Sequence, residues 1–125
     1  YTGTHDNDTA AGWYASAPKR ERAFAEKYLG VSGAENVRQA LLRAGQGSVA
    51  DLFVAQMQDY LGLGSESRIN VPGVGEGNWR WRLLPGQITA ELAEEIRSMT
   101  SFYGRCPWIP EPEEEGTGET DKAEE

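Results

Sequence analysis

His5 and Asp6 stand side by side, and Asn7 and Asp8 follow at once. These four hydrogen-bonding side chains come directly after the small and β-prone Tyr1-Thr2-Gly3-Thr4, a placing that suits the mouth of a strand better than its middle. In α/β sheets the residues just past a strand's carboxyl end are the ones that face ligand. Two readings fit the pair. In one, Asp6 or Asp8 caps the helix that follows and His5 is an ordinary loop histidine. In the other, Asp6 is an ionised carboxylate aimed at a polyhydroxylated substrate, with His5 donating to a neighbouring hydroxyl. A fixed carboxylate helps where positive charge develops, as on a glycosyl centre with oxocarbenium character. On the dipeptide alone both readings stand.

A second chemical concentration lies in the glycine-rich stretch 62–87, which contains Pro72 and Pro85 and has no sustained period. A loop of that length inside a compact domain is usually functional or a sign that an element within it is misassigned. It holds Arg68, Asn70, Asn78, Trp79 and Trp81. Indole faces beside amide donors match a pyranose, which offers apolar C–H faces and a ring of hydroxyls. Trp79 and Trp81 could equally pack a rim, and Trp79-Arg80-Trp81-Arg82 could form a short strand with one buried face. Other chemistries lack residues. One His and one Cys give no ligand pair at a usable spacing, so no metal and no cofactor is expected. A serine or cysteine triad would need His5 as its sole base. Gly73-x-Gly75-x-Gly77 has neither a preceding strand nor a following helix, so it is a weak mimic of a nucleotide-binding loop.

The elements that must position these residues read as alternating strand and helix. Thr9 is placed to cap a helix, with Trp13 and Tyr14 close behind. Ser16-Ala17-Pro18 supplies a cap and a proline suited to a first helical turn. Ala23, Phe24, Tyr28 and Leu29 recur near helical spacing up to Gly30, which can end the helix left-handed. A capping box Ser32-x-x-Glu35 precedes Val37, Ala40, Leu41 and Ala44, with Gly45 and Gly47 closing that helix. Val49 to Met57, with the apolar run Leu52-Phe53-Val54-Ala55, predicts a strand buried on both faces, as in a parallel sheet. Gln58 and Asp59 would then lie at its carboxyl end, with Asp59 able to cap a short turn at Tyr60–Leu63. Thr89 caps a final helix, Ala90 to Tyr103, whose Leu92, Ile96, Met99 and Tyr103 share one face until Gly104 and Pro107.

Composition narrows the partners. The net charge of −8 is unevenly spread: residues 111–125 carry −7 and residues 1–110 only −1. The folded part therefore has no basic face for a phosphate backbone, and nucleic acid is not an expected partner. Residues 111–125 lack aromatics and read as a disordered acidic tail behind a domain over 1–110. No apolar run approaches the roughly 20 residues of a membrane span. The start lacks a basic-then-apolar signal. The single Cys106 suits a reducing cytoplasm. At 125 residues, the chain is too short for a closed eight-strand barrel of roughly 250 residues. With Tyr rather than Met at position 1, it reads as a C-terminal piece of something longer.

Four blocks carry a resemblance. They are Tyr1-Thr2-Gly3-Thr4-His5-Asp6-Asn7-Asp8-Thr9 with Gly12-Trp13-Tyr14, Gln58-Asp59-Tyr60-Leu61-Gly62-Leu63-Gly64, Ser67-Arg68-Ile69-Asn70-Val71-Pro72-Gly73, and Gly77-Asn78-Trp79-Arg80-Trp81-Arg82-Leu83. In order and approximate spacing they resemble the 4-α-glucanotransferases, the amylomaltase or disproportionating-enzyme family, over about residues 1–104. The resemblance implies an α/β fold, the C-terminal portion of a (β/α)8 barrel with its last strands and helices, not closed by itself. It implies a retaining double displacement that transfers α-1,4-glucan segments to the 4-hydroxyl of an acceptor glucan or glucose. Asp6 matches the acid that stabilises the transition state, and His5 its hydroxyl-binding neighbour. Asn78 and Trp79 fall near the substrate. The nucleophile and acid/base lie upstream in the family, so this chain alone is expected to be inactive and to need the upstream remainder of the same barrel. Maltooligosaccharides and other α-1,4-glucans are the expected partners. Two other classes stay open: a non-catalytic α-glucan-binding module on Trp13, Trp79 and Trp81, and a hydrolase of the α-amylase clan.

Overall fold

The computed structural model describes residues 1–106. Five helices and one short 3-10 turn are present: α1 (Ala10–Ser16), α2 (Lys19–Leu29), α3 (Ala34–Gln46), α4 (Met57–Leu61), the turn Ser65–Ser67, and α5 (Ala90–Phe102). The expected tail over 111–125, and the end of the expected 1–110 domain, lie outside the described residues.

Helix α3 is the hub, touching α1, α2, α4 and α5. Its Val37 and Leu42 are almost fully buried, and with Ala10 and Ala17 they make up the buried apolar core of the described residues. The buried Arg38 on the same helix pairs with Glu35 and donates to the carbonyls of Asp59 and Tyr60. Three of the last helix's predicted contact residues, Leu92, Ile96 and Met99, are half-buried, and α5 packs on α3. Arg105 then ties the loop after α3, donating to the carbonyls of Gln46, Ser48 and Ala50 at 2.6, 3.0 and 2.8 Å.

Several helix ends follow local chemistry. The Thr9 hydroxyl accepts from the Gly12 amide at 3.0 Å, and the Thr89 hydroxyl accepts from Leu92 at 3.1 Å. Gly30 sits at φ 70°, the left-handed conformation expected for it. Others differ. Ser16 is the last residue of α1, its hydroxyl bonded back to the Gly12 carbonyl, and it caps nothing ahead of α2. The capping box at Ser32 is not formed, because Glu35 turns to Arg38 and Gln39. The Gly33 amide just ahead of α3 instead meets the Glu26 carboxylate, which also takes the Tyr14 hydroxyl. Gly45 does not close α3 but lies inside it, where a methyl group would stand 2.1 Å from the Phe53 ring. Phe24 and Tyr28 face outward, stacked on one another, and no residue of α2 is buried.

The strands are the principal correction. Among the described residues no segment is a strand, so the α/β assignment does not hold for this structure, which is helical with extended connections. Residues 1–4 and 52–56 run side by side, joined by the Thr2 amide on the Val54 carbonyl at 3.1 Å and the Gln56 amide on the Thr2 hydroxyl at 3.2 Å. One backbone bond is not a ladder. Parallel strands are held by neighbours on both edges and layers on both faces. Here Leu52 and Val54, expected to be buried, are exposed. The short strand considered at Trp79–Arg82 is likewise absent.

Candidate functional site

Loop 4–9 is shaped first by its own residues. The Asn7 side-chain oxygen accepts from the Thr4 amide at 2.7 Å and the Thr4 hydroxyl at 3.1 Å, while the Asn7 amide returns to the Thr4 carbonyl at 3.1 Å. That closed turn pushes His5 and Asp6 to the surface, with about half of each side chain exposed. Neither Asp6 nor Asp8 caps α1, since Thr9 does so. The helix-capping reading of Asp6 is therefore not the arrangement found.

The second set of bonds comes from the 56–70 region. Asn70 donates its side-chain amide to Asp6 Oδ1 at 2.7 Å and its backbone amide to the His5 carbonyl at 3.0 Å. Arg68 Nη2 donates to the Asp6 carbonyl at 2.6 Å. Ser65 donates to Asp8 Oδ2 at 2.7 Å. Gln56 Nε2 donates to the Thr4 carbonyl at 3.4 Å. Asp59, 1% exposed, accepts the Ala10 amide on Oδ1 at 2.7 Å, tying α4 to the first residue of α1. Asp59 is thus neither the cap of its own turn nor a surface acid. Gly12 faces the same seam, where a methyl group would fall 2.4 Å from both Asp8 Oδ1 and Ser65 Oγ.

His5 Nε2 lies 3.4 Å from Asp6 Oδ1. Its ring also meets the Trp79 indole, with centroids 4.9 Å apart and planes tilted by 40°. So the structure brings His5, Asp6, Asn70, Arg68 and Trp79 together. Asn78 is adjacent, but its amide is spent on the loop, accepting from Val71 N at 2.8 Å and donating to the carbonyls of Val74 and Val71 at 2.9 and 3.3 Å. A cleft of about 280 Å³ runs beside the pair, lined by Gly3, Thr4, His5, Gln56, Trp79 and Arg82 among others. A larger hollow of about 640 Å³ lies beside α2 and α3, and neither His5 nor Trp79 lines it. The smaller cleft is the one that reaches the pair, through His5 in its lining. Among the described residues no group of three or more His, Cys, Asp or Glu could hold a metal ion. No described helix is long and apolar enough to cross a membrane.

Arg68 and Asn70 belong to the loop whose amide donors suit a sugar, but their hold on Asp6 is a feature of the tertiary structure. No spacing rule connects Asn70 to Asp6 across 64 residues. An ionised Asp6 can receive one strong amide bond and still present its second oxygen to a ligand.

The comparisons agree with this architecture. A family model described as 4-alpha-glucanotransferase matches residues 1–88. The chain is 50% identical over 110 residues to a 4-alpha-glucanotransferase of Thermus thermophilus, covering 84% of this chain and 22% of that protein. A chloroplastic/amyloplastic 4-alpha-glucanotransferase of Solanum tuberosum is 41% identical over 108 residues, covering 84% of this chain and 19% of the relative. Among solved structures, an amylomaltase from Streptococcus agalactiae in complex with acarbose superposes with a TM-score of 0.78 at 31% identity, covering 84% of this chain and 21% of that one. The chain belongs to the 4-alpha-glucanotransferase family. It spans about a fifth of the length of the relatives it matches.

Proposed function

We propose that this chain is one part of a 4-α-glucanotransferase that moves α-1,4-glucan segments to the 4-hydroxyl of an acceptor glucan or glucose. The observation that carries the reading is the Asp6 carboxylate, held by Asn70 at 2.7 Å beside His5 at the edge of a cleft. In a retaining double displacement a carboxylate attacks the anomeric carbon as an acid protonates the departing glycosidic oxygen. The acceptor 4-hydroxyl then displaces that carboxylate, giving its proton to the same acid/base group. Asp6 stabilises the cationic sugar ring and holds its hydroxyls, and His5 binds a neighbouring hydroxyl. Asn78 shapes the substrate cleft through the loop that it closes, and Trp79 borders the cleft directly.

The nucleophile and the acid/base belong to chain outside these residues, within the remainder of a (β/α)8 barrel of which this is the C-terminal portion. Support for a missing covering layer comes from Tyr1, Leu52 and Val54, apolar side chains left exposed along the two extended segments. The lone cysteine suits a reducing cytoplasm, although the potato relative's name puts that protein in plastids.

Maltotriose supplied to residues 1–125 and to the complete protein tests the proposal, with products separated by chromatography. Glucose plus longer maltooligosaccharides from the complete protein only is the expected result. Glucose and maltose without longer products would mean hydrolysis, and turnover by the short chain would place the missing acids within it.

A further inference from the structure

Trp79 is a backbone anomaly. It is the one non-glycine residue at positive φ among the described residues, at 62°. A side chain with a Cβ is strained in this region, and such strain persists only where surrounding structure enforces it. Neighbouring backbone and side chains enforce it. The Trp79 amide donates to the Ile69 carbonyl at 2.7 Å, and Arg82 Nη1 donates to the Trp79 carbonyl at 3.0 Å. On its N-terminal side Asn78 locks the loop through Val71 and Val74. Burial does not reward the strain, since Trp79 is 57% exposed. The indole meets the His5 ring. Ile69 and Asn70 are consecutive, and Asn70 holds the His5 carbonyl and Asp6 Oδ1. The strained residue and the acid–imidazole pair are therefore mounted on the same dipeptide.

We propose that Trp79 is a positioning residue that acts through His5. The left-handed backbone at Trp79 turns the indole onto one face of the imidazole, while Asp6 meets the ring edge at Nε2. Face and edge together hold His5 in the orientation that presents it to substrate. This rests on the transferase reading given above and deepens it, because a tryptophan at a sugar site is otherwise taken as a stacking platform for the sugar.

The test uses the complete protein and the variants Trp79→Gly, Trp79→Phe, His5→Ala and the double variant Trp79→Gly/His5→Ala. Glycine adopts positive φ freely, so Trp79→Gly keeps or raises Tm. Its kcat on maltotriose falls about tenfold, the worth of one aromatic contact, while KM stays within about twofold. Trp79→Phe keeps a ring and recovers most of the rate. In the His5→Ala background Trp79→Gly costs nothing further. A risen KM at unchanged kcat would make Trp79 a sugar platform and overturn the proposal, as would losses that multiply in the double variant. A readout independent of turnover is tryptophan emission. His5→Ala shifts the emission spectrum when Trp79 is present and leaves it unchanged in the Trp79→Phe background. Without that difference the ring contact does not exist and the proposal falls, whatever the activity. No disproportionation by the wild-type protein, with the emission difference present, would instead refute the transferase reading alone.

Discussion

Asp6 carries the sharpest single-residue expectation. It accepts from Asn70 and lies beside His5 with about half of its side chain exposed, and the proposed function gives it the task of stabilising a developing positive charge. Removing one preorganised transition-state contact costs about 10²–10³ in rate. Asp6→Asn in the complete protein should lose at least about that much kcat, and circular dichroism should show that the fold remains. A near-normal kcat would refute the role. Asn70→Ala acts one step behind. Losing a hydrogen bond to a charged group costs about 1.5–3 kcal/mol, so kcat should drop about ten- to a hundredfold. Asn70→Asp should be worse than Ala, because a second carboxylate against Asp6 adds repulsion. An Asp variant that outperforms Ala would show that the Asn70 amide does not serve Asp6.

At the scale of elements, α3 and its surroundings decide stability. Gly45→Ala places a methyl against the Phe53 ring within α3's contact surface. Overpacking of this kind costs about 1–3 kcal/mol, to be read as a lowered Tm, and Phe53→Leu in the same protein should restore part of it. The junction of α1, α2 and α3 is pH-sensitive. Glu26 is held below the ordinary glutamate value, first by the Gly33 amide and then by the Tyr14 hydroxyl, and Glu35 is held below it by Arg38. Tyr14 is correspondingly pushed up by its bond to Glu26. For a carboxyl lowered in the folded state, the stabilisation is present above the unfolded-state value and is lost as pH falls through the folded one. Acid unfolding should therefore begin below the ordinary value of 4.5. Glu26→Gln should flatten the acid limb of a Tm-versus-pH curve, and an unchanged limb would exclude this junction as its source. Glu35 is exposed and Glu26 only half-buried, so the effect is small and screened by salt.

At the scale of the whole molecule the apolar balance is unusual. Among the described residues Ala10, Ala17, Val37 and Leu42 are the buried apolar ones, while Tyr1, Phe24, Tyr28, Leu52, Val54, Leu84 and Phe102 are exposed. So small a core offsets little conformational entropy, and uncovered extended segments invite association. Isolated 1–125 should bind a hydrophobic dye and unfold over a broad temperature range or aggregate. A sharp, reversible, protease-resistant unfolding transition would contradict the reading that it is one part of a larger barrel. Adding the remainder of the protein in trans should sharpen the transition if the exposed faces are its docking surface.

What the sequence determined by itself was local or patterned. Thr9, Thr89 and Gly30 act within about one helical turn, so their caps could be read from neighbours alone. The four ordered blocks likewise pointed to the family. Tertiary structure decided everything that depends on residues distant in the chain. The buried Asp59 became the tie to Ala10, 49 residues away, and Asn70 the partner of Asp6. Asn78 was turned inward to lock its loop, and the indole of Trp79 was set against His5. The predicted strand over Val49–Met57 failed for the same reason. An apolar run can favour an extended backbone, but only neighbouring strands can complete its hydrogen bonds and cover its side chains.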